Sequence, residues 1–200
     1  MTPRERVFAT LEHKQPDRVP LFEIWIGDDM VTELDYKDLQ SAHVNLGLDC
    51  VMIPNINPPK SNAWRDGVDE WGRVWSEGMY KDGVVDTEEN LLNYTPPLEY
   101  VDELFDTKEI EETKRLYPDH CLIFGFHIAP FTAAYLSMGF ESFFLRLLED
   151  PALIQKLLEV RFEWCMAMFQ KAISYGIDVA VLGDDVAHKR GPMVSPEMWR

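Results

Sequence analysis

Two kinds of hydrophobic pattern alternate along the chain. Short continuous apolar runs, Arg18 to Trp25 (RVPLFEIW), Asp49 to Pro54 (DCVMIP), Cys121 to Phe126 (CLIFGF) and Val179 to Leu182 (VAVL), read as four buried strands. Between them apolar residues recur at helical spacing: Tyr36, Leu39, His43 and Leu46, then Leu136, Phe140, Phe143 and Leu147, then Leu153, Leu157, Val160, Trp164 and Met168. Thr2-Pro3-Arg4-Glu5 is a capping box that opens a helix over 2–14, with Val7, Phe8 and Leu11 as its buried stripe. Asp106-Thr107 restarts a charged helix within 98–117, Asp150-Pro151 caps the next, and Ser195-Pro196-Glu197 opens the last. Strands alternating with helices predict an α/β fold with a parallel sheet covered on both faces. About four βα units fit, half of the eight in a (β/α)8 barrel of roughly 250 residues. The expectation is therefore one partial domain over 1–200, the N-terminal half of such a barrel.

Residues 55–97 break the alternation, being rich in Trp, Gly, Asp and Pro with no sustained period. Val68 to Trp75 alternates enough for one arm of a hairpin with a turn near Gly83, so this stretch reads as a hairpin inserted between the second and third strands. Composition changes the picture in two respects. A net charge of −16 sets the chain against nucleic acid and anionic membrane surfaces. No apolar run reaches the roughly 20 residues of a membrane span, and MTPRERVFATLEHK lacks the apolar core of a secretory signal, so a cytoplasmic location is expected. Cys50, Cys121 and Cys165 are odd in number and widely spaced, which reads as buried thiols rather than a disulfide framework or metal site.

Candidate chemistry gathers where strands end, since the C-terminal strand ends and following loops of (β/α)8 barrels carry the reacting groups. Val179 to Leu182 runs through Gly183 into Asp184 and Asp185. Neighbouring strand residues point to opposite faces, so one acid faces the mouth while the other orients a neighbour or caps a helix. Asp184 is the catalytic candidate, together with His127, which follows the third strand where a general acid would sit; a histidine bonded to a backbone carbonyl is its structural alternative. Substrate-binding candidates are Asp185, the pair Glu23 and Trp25 on one face of the first strand, Asn55 after the second, and Trp71. Trp71 either meets a planar ligand or packs the hairpin. No metal-ligand spacing occurs anywhere.

Three segments, TPRERVFATLEHKQPDRVP, DEWGRVW and GDDVAHKRGPMVSPEMWR, together resemble the uroporphyrinogen decarboxylase superfamily, and within it the cobalamin-dependent methyltransferase branch. The resemblance covers nearly all 200 residues but only the first half of a family member. It implies a (β/α)8 barrel. It also implies an arginine-rich, carboxylate-gripping loop after the first strand of the decarboxylases, where this chain has WIGDDMVTELDY, acids and no arginine. For the methyltransferases it implies zinc, with ligands in the second half of the barrel and none matched here, and a corrinoid carried by a partner protein. The function expected is methyl transfer between a corrinoid protein and a small methylated substrate: a methoxylated aromatic, methylamine, methanol or thiol. The 200 residues alone are expected to be inactive. Decarboxylation in tetrapyrrole synthesis is one alternative. Another is a non-catalytic half-barrel subunit acting by assembly, for which a homodimer is one form, since such a piece exposes sheet edges and an apolar face.

Overall fold

The computed structural model describes residues 1–24, 26–53, 65–126 and 129–199. Helices α1 (Pro3–Leu11), α2 (Asp28–Glu33) and α3 (Leu39–Asn45) precede strand β1 (Cys50–Ile53). Strands β2 (Gly67–Val68), β3 (Arg73–Ser76) and β4 (Met79–Gly83) follow, then α4 (Glu88–Asn93), a 3-10 stretch (Leu98–Leu104) and α5 (Thr107–Leu116). After β5 (Cys121–Phe126) come α6 (Pro130–Met138), α7 (Phe140–Glu149), α8 (Pro151–Ser174) and β6 (Val179–Leu182). The ribbon β7 (Ala187–His188) and β8 (Gly191–Pro192) and helix α9 (Pro196–Trp199) complete the order. The chain divides into two compact units: Met1–Ile56, Leu104–Gly125 and Gln170–Val181, and Asn57–Glu103, Phe126–Phe169 and Leu182–Arg200.

In the first unit a parallel sheet has the order β1-β5-β6, with Cys50 opposite Cys121 and Ile53 opposite Phe124. β1 and the described side chains of β5 are buried on both faces, as a continuous apolar run requires, whereas β6 alternates, with Ala180 and Leu182 exposed. Cys50, Met52, Cys121 and Ile123 pack with Val7, while Val51, Ile53, Leu122 and Phe124 are buried as well, the last against Phe105 at 5.1 Å. The opening motif supplies the charges that hold α1 in this unit. Asp49, 0% exposed, accepts from Arg6, from both terminal nitrogens of Arg18 at 2.8 and 2.9 Å and from the Leu21 backbone at 2.7 Å; Arg6 also grips Asp17.

That network explains why the expected first strand, Arg18 to Trp25, is not a strand over its described residues, 18–24. Pro20 has no N–H to give a ladder. The Leu21 N–H bonds the Asp49 carboxylate, and its carbonyl takes the Asp49 N–H at 2.7 Å. Leu21 and Phe22 are 51% and 53% exposed rather than buried. The described sheet thus has three strands, and the helix expected from Tyr36 begins only at Leu39, behind the Asp38 cap. Within α1, Arg6 and Ala9 are buried and Leu11 is exposed, against the stripe its spacing suggested.

In the second unit β2, β3 and β4 form an antiparallel sheet. The described part of the insert therefore has three strands, not two arms. Val68 to Trp75 contains a turn at Asp69–Gly72, and the next turn is at Glu77–Gly78 rather than Gly83. The helix expected over 136–147 is two helices broken at Gly139, whose φ of +92° suits glycine. A side chain there would run into the Asp82 carboxylate. On α8 the buried stripe holds Leu153, Leu157, Trp164 and Met168 as expected, but Arg161 is buried in place of Val160. Phe131, Ala134, Met138 and Phe143 close this core against Val85, Leu91, Ile154 and Leu157.

Candidate functional site

Helix α6 starts with a problem its own sequence cannot solve. Ala129 stands at the cap position with no side-chain acceptor, and Pro130 follows at the first turn. The exposed N–H groups of a helix start require an acceptor from elsewhere. Asp184 supplies it from 52 residues away. Its carboxylate accepts from the backbone of Thr132 at 2.8 Å and of Phe131 at 3.3 Å, and from the Thr132 hydroxyl at 2.6 Å. A carboxylate at a helix N-terminus is further favoured by the helix dipole. The Gly183 carbonyl accepts from the Ala129 N–H at 3.3 Å, and Thr132 Oγ1 accepts from the Asp185 N–H at 2.8 Å. Two loops, one after β5 and one after β6, are thereby stitched together.

The two adjacent acids part company here. Asp184 is half-buried with its oxygens spent on α6, whereas Asp185 is exposed and nothing among the described residues donates to its carboxylate. Tyr135, one turn after Thr132 and buried, has its phenol pushed up by burial, with the charges of Asp185 and Asp184 adding and Thr132 opposing, so it stays protonated at neutral pH. Burial and the charge of Asp184 push the Cys165 thiol up to about 11, which makes it a weak nucleophile. The arrangement offers a bound ligand one solvent-facing acceptor. Sequence reasoning named both acids and missed Thr132 and Tyr135; the uncapped Ala129-Pro130 start was the available signal.

Within the DEWGRVW motif, Asp69 gathers its neighbours. Asp69, buried, accepts from the backbones of Trp71 and Arg73 at 2.9 and 3.0 Å, from Arg73 Nε at 2.6 Å and from Trp75 Nε1 at 2.8 Å. Trp71 packs edge-on against Trp164 at 4.7 Å under the Arg161 guanidinium at 4.6 Å, both on α8. Arg161 donates to the carbonyls of Trp71 and Tyr94 and to Ser137 Oγ at 3.0 Å, with no described carboxylate in contact. Burial, then repulsion from Arg73, lowers it to about 9 against the attraction of Asp69, and it remains a cation at neutral pH.

Of the other candidates, Glu23 is exposed in the first unit, where its Oε1 accepts from the following N–H at 2.9 Å. Burial depresses the His43 imidazole, with the backbone and charge of Glu23 opposing. Trp25, Asn55 and His127 lie outside the described residues. Among the described residues no three of His, Cys, Asp and Glu gather as a metal site. No helix among them is long and apolar enough to cross a membrane.

A methyltransferase from Methanosarcina mazei has a similar fold, with a TM-score of 0.72 at 19% identity; the likeness covers 100% of this chain and 63% of that one. This chain therefore spans less than two thirds of that protein's length. No curated protein matches. The model of the uroporphyrinogen decarboxylase (URO-D) family matches residues 83–200, from the end of β4 through the Asp184–Asp185 turn to the last helix. That segment is more than half of the 200 residues, and on it the chain belongs to the uroporphyrinogen decarboxylase family.

Proposed function

We propose that these residues form the N-terminal half of a (β/α)8 barrel in a methyltransferase, and that the intact protein moves a methyl group between a small methylated substrate and a corrinoid protein. The observation that carries this reading is the likeness of the whole chain to a methyltransferase fold within the URO-D family. A local feature points the same way. In Ile26–Tyr36, after the first apolar run, stand Asp28, Asp29, Glu33 and Asp35 and no arginine, so a polycarboxylate such as a porphyrinogen would meet repulsion. In this reading Asp185 binds a hydroxyl or ammonium of the substrate, and Asp184 acts through α6 as a positioning residue. His127 is the candidate for protonating the leaving group. A corrinoid carried by the partner protein would supply the cobalt chemistry that takes up the methyl group. Methoxylated aromatics, methylamines, methanol and methylthiols are the substrate classes to be tried. The family description favours a second reading, porphyrinogen decarboxylation.

The test is methylation of cob(I)alamin by the intact protein over that panel, followed by its visible spectrum, beside a porphyrinogen decarboxylation assay. Methyl transfer from one class with no decarboxylation is expected. Decarboxylation alone would replace this reading with the second, and inactivity in both assays would favour a subunit acting by assembly.

A further inference from the structure

Thr132 joins the two acids through one hydroxyl, and that hydroxyl has a direction. It gives its proton to Asp184 Oδ1 at 2.6 Å and receives the Asp185 N–H at 2.8 Å. The residue is 5% exposed, so neither bond is readily replaced by water. Its backbone N–H binds the same Asp184 oxygen at 2.8 Å, which fixes that carboxylate from two sides. With the Asp184 side chain pinned to α6 and the Asp185 amide pinned to Thr132, the turn is held so that the Asp185 side chain is exposed while that of Asp184 is half-buried.

We infer that Thr132 is a positioning residue that decides which of the two acids is presented to a ligand. A valine of nearly the same shape would keep the packing and delete both side-chain bonds, whereas serine would keep the bonds. Removing the hydroxyl frees the turn, and the two carboxylates then compete for α6. The ligand such a site takes is a hydrogen-bond donor, an ammonium or a hydroxyl, because a carboxylate facing water offers acceptors only. That last step rests on the function proposed above; the division of roles does not.

The experiment is carboxyl footprinting of the native chain with a water-soluble carbodiimide and glycine ethyl ester, read at single residues by mass spectrometry. The unmodified chain is expected to label Asp185 at least about tenfold faster than Asp184, the ratio that one hydrogen bond of ordinary strength represents. Thr132→Val brings the two rates to within about threefold, and Thr132→Ser restores the difference. Equal labelling in the unmodified chain overturns the inference, as does a Thr132→Val chain that keeps the full ratio. Should Thr132→Val fail to fold, Thr132→Ser and Asp184→Asn carry the test: the first must keep Asp185 preferred and the second must leave it labelled. Titration with methylammonium, followed at the Asp185 amide by NMR, adds a separate arm. Perturbation lost in Thr132→Val and kept in Thr132→Ser supports a positioning role. Perturbation equal in both variants reduces Thr132 to a structural bond and overturns it. No perturbation in the unmodified chain, with the footprinting ratio intact, removes the ammonium ligand from the proposed function and leaves the division of roles standing.

Discussion

Two buried charges, Asp49 in the first unit and Arg161 in the second, are handled in opposite ways. In the first, Asp49 meets two arginines and a backbone N–H, so its desolvation is offset by charge-assisted bonds. In the second, Arg161 is 2% exposed and leans on two carbonyls, a serine hydroxyl and the face of Trp71, with Nε and Nη1 lacking a described partner. The same burial should therefore have different consequences. Removing a member of the first network strands its partners, whereas removing Arg161 strands no opposite charge.

Asp49→Ala should have the largest effect, a loss of about 3–5 kcal/mol in urea unfolding, because buried Arg6 loses one of its two acid partners while Arg18 and the Leu21 N–H lose their acceptor. A loss below about 1 kcal/mol would show that water replaces the carboxylate and would break the contrast. Gly139→Ala should cost about 1–3 kcal/mol, from positive φ and the clash with Asp82; an unchanged unfolding midpoint would place the break between α6 and α7 elsewhere. Arg161→Met should cost only about 1 kcal/mol, since the lost bonds are offset by relief of a buried cation. A cost as large as that of Asp49→Ala would mean that the guanidinium has an acid partner. The smallest effect is on pH dependence. Burial holds His43, and likewise His120, below the ordinary imidazole value of 6.5. The unfolded chain then binds more protons as pH falls through 6.5, so stability present above that pH is lost below it. His43→Gln should flatten the decline of the urea midpoint between pH 7.5 and 5.5; a steeper decline in the variant would contradict the assignment.

What could be read in the sequence follows the range of the interactions. The runs at Cys50–Ile53, Cys121–Phe126 and Val179–Leu182 are strands as expected, because short continuous apolar runs leave a local record, although only the first two are buried on both faces. So does the Asp106 cap of α5, made to N–H groups two and three residues on. The run at Arg18 to Trp25 misled because its fate is set by Asp49, and the cap of α6 was hidden because Asp184 lies 52 positions away. Arg161 was visible in principle as a charged residue four positions after Leu157, inside an apolar stripe. For the site itself, different roles for the two adjacent acids were expected from strand alternation, but β6 ends at Leu182, before both of them, and their divergence follows instead from the bonds to Thr132.

The central claim is that Asp184 serves the fold and Asp185 serves the ligand. Steady-state kinetics of methyl transfer by the intact protein, measured for Asp184→Asn and Asp185→Asn beside their melting temperatures, tests it most directly. The account predicts that Asp185→Asn lowers kcat/KM by about tenfold or more, the effect of one charge-assisted bond, at an unchanged melting temperature. Asp184→Asn should instead lower the melting temperature by a few degrees, as the weakening of a helix cap does. Full activity in Asp185→Asn, together with loss of activity in an Asp184→Asn protein of unchanged melting temperature, would contradict it.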